Sequence, residues 1–578
     1  MIRLAWKHLK GRALACAVIA PLMMLVEVLM DLQQPALMAR IIDVGVSGRD
    51  LTYVLATGFR MVVMAAIGFV GGAACSLLAA RAAVDMSGRM RQGLFEKVQR
   101  LSFAEIDRLK TSSLVTRLTN DVMQMQTMVL MMLRIMVRSP LTLLGSILMS
   151  FLLSPRLSLL FCVLLPVVIV SIVLALRRSI VVFSQVQAWL DRMNTLMRES
   201  LLGVRVVRSF TIEAQQADRF AAANDGFTDR SIRAQELTFL LLPVVTLVMN
   251  LGVVAVLWFG GRMVFSGGLE IGKVMALVNY LTQITHSLMV TVNLVVNVSR
   301  AQASTARIKE VLDAEPAVAE PAEPCVPRND DIEFEQVSLR YGQGETPVLR
   351  DLSFVIRQGE TVGVIGATGS GKSSLISLIP RLYDASSGRV LIGGVDVRRM
   401  GIRELRRRVG LVMQEAFLFS GSVADNLRFG NERASGEAME SAARDAQAAG
   451  FIRDLPDGYG GAVEQRGRNF SGGQKQRLSI ARTLLQEPRI LILDDSTSAV
   501  DLITEAGLRR DLARRMKGRT LIVVAQRITA VMDADRILVL DAGRLAASGT
   551  HAGLLRDCEI YRSIAVSQLG EGVLAHAG

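Results

Sequence analysis

The stretch GATGSGKSS at residues 366–374 decides the fold of the C-terminal half of this chain. It satisfies the pattern G-x-x-x-x-G-K-[ST], follows the apolar run Thr361–Ile365 and leads into the helix-like run Leu375–Ile379. A strand, a glycine loop and a helix in this order predict a phosphate-binding loop, whose backbone N–H groups meet phosphates at a helix N-terminus. The loop residues expected to bind nucleotide are Gly366, Ala367, Thr368, Gly369, Ser370, Gly371, Lys372, Ser373 and Ser374.

Two side chains of this loop and one residue far downstream have specific expected roles. Lys372 is expected to neutralise the β- and γ-phosphates, and the Ser373 hydroxyl is expected to ligate Mg²⁺. The apolar run Ile490–Leu493 ends in Asp494, a second expected Mg²⁺ ligand. The sequence therefore predicts a site for ATP and Mg²⁺ in an α/β domain at residues 330–578.

Two positions depart from the pattern of ATP hydrolases. Asp495 stands where such enzymes place a glutamate base, and Gln526 stands where they place a histidine. Aspartate holds its carboxylate about 1.5 Å further back, and a misplacement near 1 Å costs about 10²-fold in rate. Glutamine can hydrogen-bond a phosphate, but it carries neither a proton nor a charge. We therefore expect tight ATP binding with poor hydrolysis. The alternative is that Asp495 works with adjusted geometry and that Gln526 is a neutral change.

The composition of the N-terminal half excludes an ordinary soluble protein. The chain has 578 residues, of which 51% are hydrophobic, and its mean hydropathy is +0.37. Several stretches without Asp, Glu, Lys or Arg approach the roughly 20 apolar residues that cross a bilayer as a helix. These stretches are 13–26, 61–80, 139–153, 157–176, 237–261 and 274–299. We expect six transmembrane helices in residues 1–315, and a proline-rich linker at 316–329.

The distribution of basic residues predicts the orientation in the membrane. They cluster in residues 1–12, before the first span, and in the long connections 81–138 and 177–236. The positive-inside rule then places both termini in the cytoplasm and accounts for the net charge of +13 without a nucleic-acid partner. Each long connection is interrupted near its middle, at Phe103–Lys110 and at Ser209–Gln216, where we expect contact with a cytoplasmic domain.

A further group of motifs resembles one family. Asn469–Arg477 reads NFSGGQKQR and resembles the signature loop of ATP-binding cassette (ABC) transporters, with Phe470 in place of the usual leucine. Tyr341 lies in a match to the adenine-stacking loop, and Gln414 lies in a match to the Q-loop. Order and spacing match over the cassette domain, and six preceding spans match an exporter half-transporter. The resemblance covers essentially the whole chain.

The resemblance implies roles for residues and the need for a partner. Tyr341 would stack on adenine, and Gln414 would contact Mg²⁺ or the attacking water, in a loop beside the contact with the membrane domain. Gln414, Asp495 and Gln526 are then the catalytic candidates. In this family the signature loop, here Ser471, Gly472, Gly473 and Gln474, completes the ATP site of the opposite subunit. The chain must therefore dimerise.

Three functions follow as hypotheses. The chain most resembles the nucleotide-degenerate subunit of heterodimeric bacterial multidrug exporters in the inner membrane, handling lipophilic small molecules and membrane lipid. The alternatives are a homodimeric lipid flippase with slow ATPase and an ATP-gated channel or regulator. Glu27 and Asp31 lie four residues apart in the first span and would favour cationic ligands, while His286 lies in the sixth. For the acids, interhelical hydrogen bonding and an outer gate are the competing interpretations.

Overall fold

The structure is a computed structural model that describes residues 2–342, 346–498 and 500–570. It divides into two compact units. The first comprises Met1–Glu96 and Val115–Leu312, and the second comprises Lys97–Leu114 and Asp313–Gly578. The short segment Lys97–Leu114 therefore groups with the C-terminal unit, although it lies between two long helices of the N-terminal region.

The N-terminal region is helical throughout most of its described residues. Its first helices are α1 (Ile2–His8), α2 (Arg12–Arg40), α3 (Leu51–Arg100), α4 (Phe103–Leu109), α5 (Thr111–Thr116) and α6 (Val122–Leu153). The next are α7 (Pro155–Leu202), α8 (Val204–Ser209), α9 (Glu213–Phe265) and α10 (Ile271–Asp313). Over the described residues, four segments are long and apolar enough to cross a membrane, namely Arg12–Val46, Leu51–Arg100, Thr111–Leu153 and Pro243–Phe265.

Helices α2 and α3 approach each other closely because glycines face the contact. A Cβ atom on Gly71 would lie 3.0 Å from the Met23 carbonyl oxygen, and one on Gly68 would lie 3.3 Å from Cβ of Met30. Small residues at such positions are a common means of packing helices in membranes. Helix α10 is joined to α2 by the Tyr280 hydroxyl, which donates a hydrogen bond of 2.7 Å to the Leu32 carbonyl.

The C-terminal unit alternates strands and helices. Its strands are β1 (Ile332–Leu339), β2 (Leu349–Ile356), β3 (Thr361–Gly366), β4 (Ser387–Ile392), β5 (Val395–Asp396), β6 (Val409–Val412), β7 (Gly421–Ser422), β8 (Ala462–Val463), β9 (Ile490–Asp494), β10 (Thr520–Val524), β11 (Arg536–Asp541) and β12 (Arg544–Gly549). Its helices are α11 (Lys372–Leu378), α12 (Ile402–Arg408), α13 (Val423–Arg428), α14 (Gly436–Asp445), α15 (Ala449–Arg453), α16 (Gly472–Leu485), α17 (Leu502–Arg515), α18 (His551–Asp557) and α19 (Glu559–Leu569).

The main sheet has the order β12-β11-β3-β10-β9-β6 over the described residues. All neighbouring pairs from β11 to β6 are parallel, and β12 is antiparallel to β11. The runs of Val, Ile and Leu in β3, β9 and β10 are buried almost throughout, as expected for parallel strands covered on both faces. A separate antiparallel sheet has the order β2-β1-β4-β5. Ligands of open α/β sheets bind at the carboxyl ends of the parallel strands, and the predicted site residues follow those ends.

Candidate functional site

The glycine loop turns sharply between β3 and α11. A Cβ atom on Gly366 would lie 2.2 Å from the Leu540 carbonyl oxygen, so only glycine fits at the end of this strand. Gly371 caps α11 with φ +100°, a left-handed conformation that glycine adopts without strain. Gly369, with φ +85°, has open space where a Cβ would be. The loop therefore offers a backbone surface that a phosphate group can approach.

Lys372 folds over this loop. Its Nζ donates hydrogen bonds of 2.8 Å to the Gly366 carbonyl and 2.9 Å to the Ala367 carbonyl. Burial lowers the pKa of the Lys372 ammonium, and the carboxylates of Asp494 and Asp495 partly oppose that shift. An ammonium that is desolvated beside a phosphate-sized loop interacts strongly with added negative charge.

Three oxygen-bearing side chains meet at the ends of β6, β9 and α11. The Ser373 hydroxyl donates a hydrogen bond of 3.3 Å to Asp494 Oδ1. Ser373, Gln414 and Asp494 line one open cleft of about 1020 Å³. Hydroxyl, amide and carboxylate oxygens are the donors that Mg²⁺ prefers. The residues present therefore fit a Mg²⁺ ion bound together with nucleotide phosphates, as the sequence predicts.

Asp495 occupies an unusual backbone conformation. Its φ is +45°, in the left-handed region that aspartate and asparagine tolerate better than longer acidic residues. Its N–H donates a hydrogen bond of 2.8 Å to the Val524 carbonyl, and Gln414 Nε2 lies 3.4 Å from its Oδ2. Burial raises the pKa of the Asp494 and Asp495 carboxyls, and the Lys372 ammonium opposes both shifts.

Gln526 follows β10, which lies between β3 and β9 in the sheet. The order β3-β10-β9-β6 therefore puts the glycine loop, Gln526, Asp494 with Asp495, and Gln414 in one row along the same edge. The side chain of Gln526 is exposed, and its backbone carbonyl accepts a hydrogen bond of 2.8 Å from Gln568. The uncharged amide of Gln526 is thus exposed to solvent at this edge of the sheet.

The segment Ser471–Gln474 begins helix α16. Ser471 caps this helix, because its hydroxyl accepts from the Gln474 N–H at 3.3 Å while the Gln474 side chain accepts from the Ser471 N–H at 2.9 Å. Gly472 is exposed at the first turn, with Gly473 beside it. Phe470 is only 6% exposed, and its ring lies 6.2 Å from that of Phe451. The aromatic replacement thus fills the core beneath the loop and leaves the loop surface open.

Comparisons with known proteins agree with this arrangement. The sequence pattern of the ABC transporter transmembrane region matches residues 17–288, and that of the ABC transporter domain matches residues 349–498. The ABC transporter ATP-binding protein YfiB of Bacillus subtilis (strain 168) is 40% identical over 96% of both chains. This chain belongs to the ABC transporter family.

Two further relatives of this ABC transporter carry names that describe an activity. An ATP-dependent lipid A-core flippase of Syntrophus aciditrophicus (strain SB) is 32% identical over 82% of this chain and 79% of its own. The structure of a bacterial Atm1-family ABC exporter with ATP bound superposes with a TM-score of 0.81 at 26% identity, covering 96% and 99% of the two chains. The predicted fold class, a helical membrane domain followed by an α/β nucleotide-binding domain, is confirmed, as is the half-transporter architecture.

Sequence reasoning missed Tyr383, which joins the adenine-loop tyrosine of this ABC transporter to helix α4. The Tyr341 hydroxyl donates to Ser374 Oγ at 3.0 Å, and the ring of Tyr341 meets that of Tyr383 edge-on at 5.0 Å. The Tyr383 hydroxyl donates a hydrogen bond of 2.5 Å to Asp107, and its ring lies 6.2 Å from that of Phe103. The only signal for this contact was an aromatic residue shortly after the P-loop helix.

We expect Tyr383→Phe to weaken the link between transport and ATP hydrolysis. Removing the hydroxyl breaks its bond to Asp107, a loss of about 0.5–1.5 kcal/mol, while the ring contacts of Tyr383 remain. ATP affinity should stay within about twofold, and stimulation of ATPase by transported compounds should fall. Tyr561→Phe, which removes a hydroxyl bonded to His551 elsewhere in the same unit, is the matched control. Unchanged stimulation of ATPase in Tyr383→Phe would show that this hydrogen bond does not couple transport to ATP hydrolysis.

Proposed function

We propose that this ABC transporter is the nucleotide-degenerate subunit of a heterodimeric exporter of lipophilic compounds. One observation carries the proposal. The residues suited to hold ATP and Mg²⁺ are all present, whereas Asp495 and Gln526 replace the two groups that hydrolysis requires. Binding without hydrolysis suits a subunit whose partner supplies the working site.

At its own site the chain would hold the nucleotide with five side chains. Lys372 interacts with the phosphates, Ser373, Asp494 and Gln414 supply oxygen ligands to Mg²⁺, and Tyr341 stacks on adenine. When bound, the Mg²⁺ ion neutralises charge that develops on the phosphates. Tyr341 as a whole residue is 41% exposed, so it is accessible to a base.

Hydrolysis at this site would be slow for geometric and electrostatic reasons. A general base works within about 2.6–3.2 Å of the proton that it takes. The Asp495 carboxylate is short and is turned toward Gln414 at 3.4 Å. Gln526 supplies a dipole to the phosphates but no positive charge, because an amide does not protonate near neutral pH.

The signature loop would serve the other subunit. Ser471 and Gly472 are exposed at the N-terminus of α16, where N–H groups and the helix dipole favour a phosphate. A partner with glutamate and histidine in place of Asp495 and Gln526 would then complete one fast site. The basic residues within the segment 1–12 favour a cytoplasmic location of both termini for a chain in the bacterial inner membrane.

A second candidate is a homodimeric lipid flippase with slow ATPase. It is favoured by the name of the relative from Syntrophus aciditrophicus, with which this chain shares 32% identity. Both candidates concern lipophilic cargo, and they differ in the partner. Purification of the chain from native membranes separates them, because a heterodimer yields a second half-transporter in equal amounts. A self-associated chain with brisk ATPase would overturn the heterodimer.

We expect ATP to remain uncleaved at the Lys372 site through many turnovers of the assembled transporter. The groups that bind phosphate persist at this site, whereas the base is displaced. The measurement is the identity of radiolabelled nucleotide occluded at steady state in the purified complex. Lys372→Ala should abolish the retained fraction and is the control for site assignment. Recovery mainly of ADP from the Lys372 site would contradict the proposal.

A further inference from the structure

A cavity of about 650 Å³ with a largely apolar surface lies between α2, α6 and α10 of the membrane unit. The polar side chains that bear on its chemistry are Asp31, Gln34, Arg138, Thr142, Gln283 and His286. The walls are held by hydrogen bonds between α6 and α10. The Ser139 hydroxyl donates to the Ser287 carbonyl at 2.7 Å, and the Ser146 hydroxyl donates to Gln283 Oε1 at 3.0 Å. These bonds join two of the three helices that line the cavity.

A cluster of three charges stands at one side of this cavity. One terminal nitrogen of Arg138 lies 2.7 Å from Glu27 Oε1, and the other lies 3.1 Å from Asp31 Oδ2. Two carboxylates on α2 thus share one guanidinium on α6, and the cluster has a formal charge of −1. Ionisable groups among membrane helices cost free energy, and they commonly mark a substrate path.

The two carboxylates have different surroundings. Glu27 lies over Gly72 of α3, where a Cβ atom would stand 2.5 Å from Glu27 Oε2. Its side chain is only 14% exposed, so the glycine makes room for a carboxylate held between α3 and Arg138. The side chain of Asp31 is 46% exposed and lines the cavity. Arg134, one turn earlier on α6, adds a further positive charge that acts on Cys75 together with Glu27. Glu27 is therefore the carboxylate held within the helix packing, and Asp31 is the one exposed to the cavity.

We propose that this cavity binds amphiphiles whose polar end is positively charged, with Asp31 as the residue that selects for charge. The proposal rests on the proposed export of lipophilic compounds and names the charge of the cargo. An anionic head would meet one guanidinium already flanked by two carboxylates, whereas an ammonium gains the attraction of the exposed Asp31 carboxylate. The amide of Gln283 and the hydroxyl of Thr142 then solvate the rest of the head, and Glu27 acts as a positioning residue.

The test uses two probes of the same shape. One is a fluorescent alkyl chain ending in trimethylammonium, and the other ends in the uncharged 3,3-dimethylbutyl group. Equilibrium binding is measured without ATP on the complex purified from membranes and placed in nanodiscs. We expect the ammonium probe to bind at least about tenfold tighter than the neutral probe. Equal affinities for the two probes would overturn the proposal.

Variants of the cluster should move this preference in opposite directions. Asp31→Asn removes the negative charge that is exposed to the cavity and should bring the two affinities to within about twofold. Arg138→Gln raises the negative charge to −2 by formal count and should increase the preference for the ammonium probe. Asp85→Asn removes a carboxylate that is paired with Arg89 on α3 and does not line this cavity, so it is the matched control and should keep the wild-type ratio. A wild-type ratio in Asp31→Asn would refute the assigned role.

Protein quality and the proposed function are checked separately. Asp31→Asn should be recovered in normal amounts and should still retain occluded ATP at the Lys372 site, because the change lies in the membrane unit. A transporter that retains ATP at the Lys372 site but binds both probes equally would support the proposed function and contradict this inference. A transporter with charge-selective binding but rapid hydrolysis at the Lys372 site would support this inference and contradict the proposed function.

Discussion

Gly472→Asp in this chain should reduce ATPase and transport of the proposed heterodimer, once reconstituted, by about 10²-fold or more, as loss of an oxyanion contact does. In the proposed arrangement, the added carboxylate projects from the first turn of α16 toward the γ-phosphate that the partner's P-loop binds. It replaces attraction by repulsion at the working site. Asp495→Asn should lower turnover by only about tenfold, through weaker closure of the two nucleotide domains, because little catalysis depends on that carboxylate.

The design of this experiment separates chemistry from folding. The φ of Gly472 is not positive, so an aspartate fits the backbone there. A negative charge in the first turn of a helix is also stabilised by the helix dipole. The Gly472→Asp protein should therefore be recovered in normal amounts, and Gly472→Ala serves as the uncharged control. If Asp495→Asn abolished activity as completely as Gly472→Asp, the site at Lys372 would be the hydrolytic one.

The second large effect is a gain of function. Restoring both groups, by Asp495→Glu together with Gln526→His, should raise hydrolysis at the Lys372 site by about 10²-fold, since a carboxylate displaced by about 1.5 Å is returned to reach. The assay is single-turnover hydrolysis in a heterodimer whose partner has its own base neutralised. Asp495→Glu with Gln526→Ala is the matched control. No increase in the double variant would mean that degeneracy lies elsewhere.

The backbone at this position makes the double variant a demanding test. The φ of +45° at residue 495 suits aspartate better than glutamate. Glutamate there must either adopt the left-handed conformation at some cost or shift the turn that follows β9. We therefore expect Asp495→Glu alone to recover less than the pair, because Gln526 still supplies no proton or charge to the phosphates.

Much of the nucleotide site was predictable because each part is a local pattern. The glycine loop needs a strand before it and a helix after it, and Asp494 needs only an apolar strand ahead of it. Six charge-free stretches likewise predicted a helical membrane domain, and this fold class is confirmed. These signals depend on residues close together in the chain, where backbone geometry fixes their relation.

Other features depend on contacts between distant segments. Tyr383 and Asp107 are 276 residues apart and meet through a single hydrogen bond. Periodicity in the sequence does not predict a contact between residues so far apart in the chain. The left-handed backbone conformation of Asp495 could not be predicted either, because aspartate occurs in many backbone conformations.

By itself, the sequence determined the family and the helical character of the membrane domain, and it predicted the phosphate-binding loop and the two substituted catalytic positions. Only the tertiary structure decided that Arg138 bridges Glu27 and Asp31, that Gly72 makes room for one of these carboxylates, and that the other faces a cavity. The physical reason is that charge and hydropathy are properties of single residues or short windows. Which charges compensate each other depends on distances of a few ångströms between helices, and only packing sets those distances.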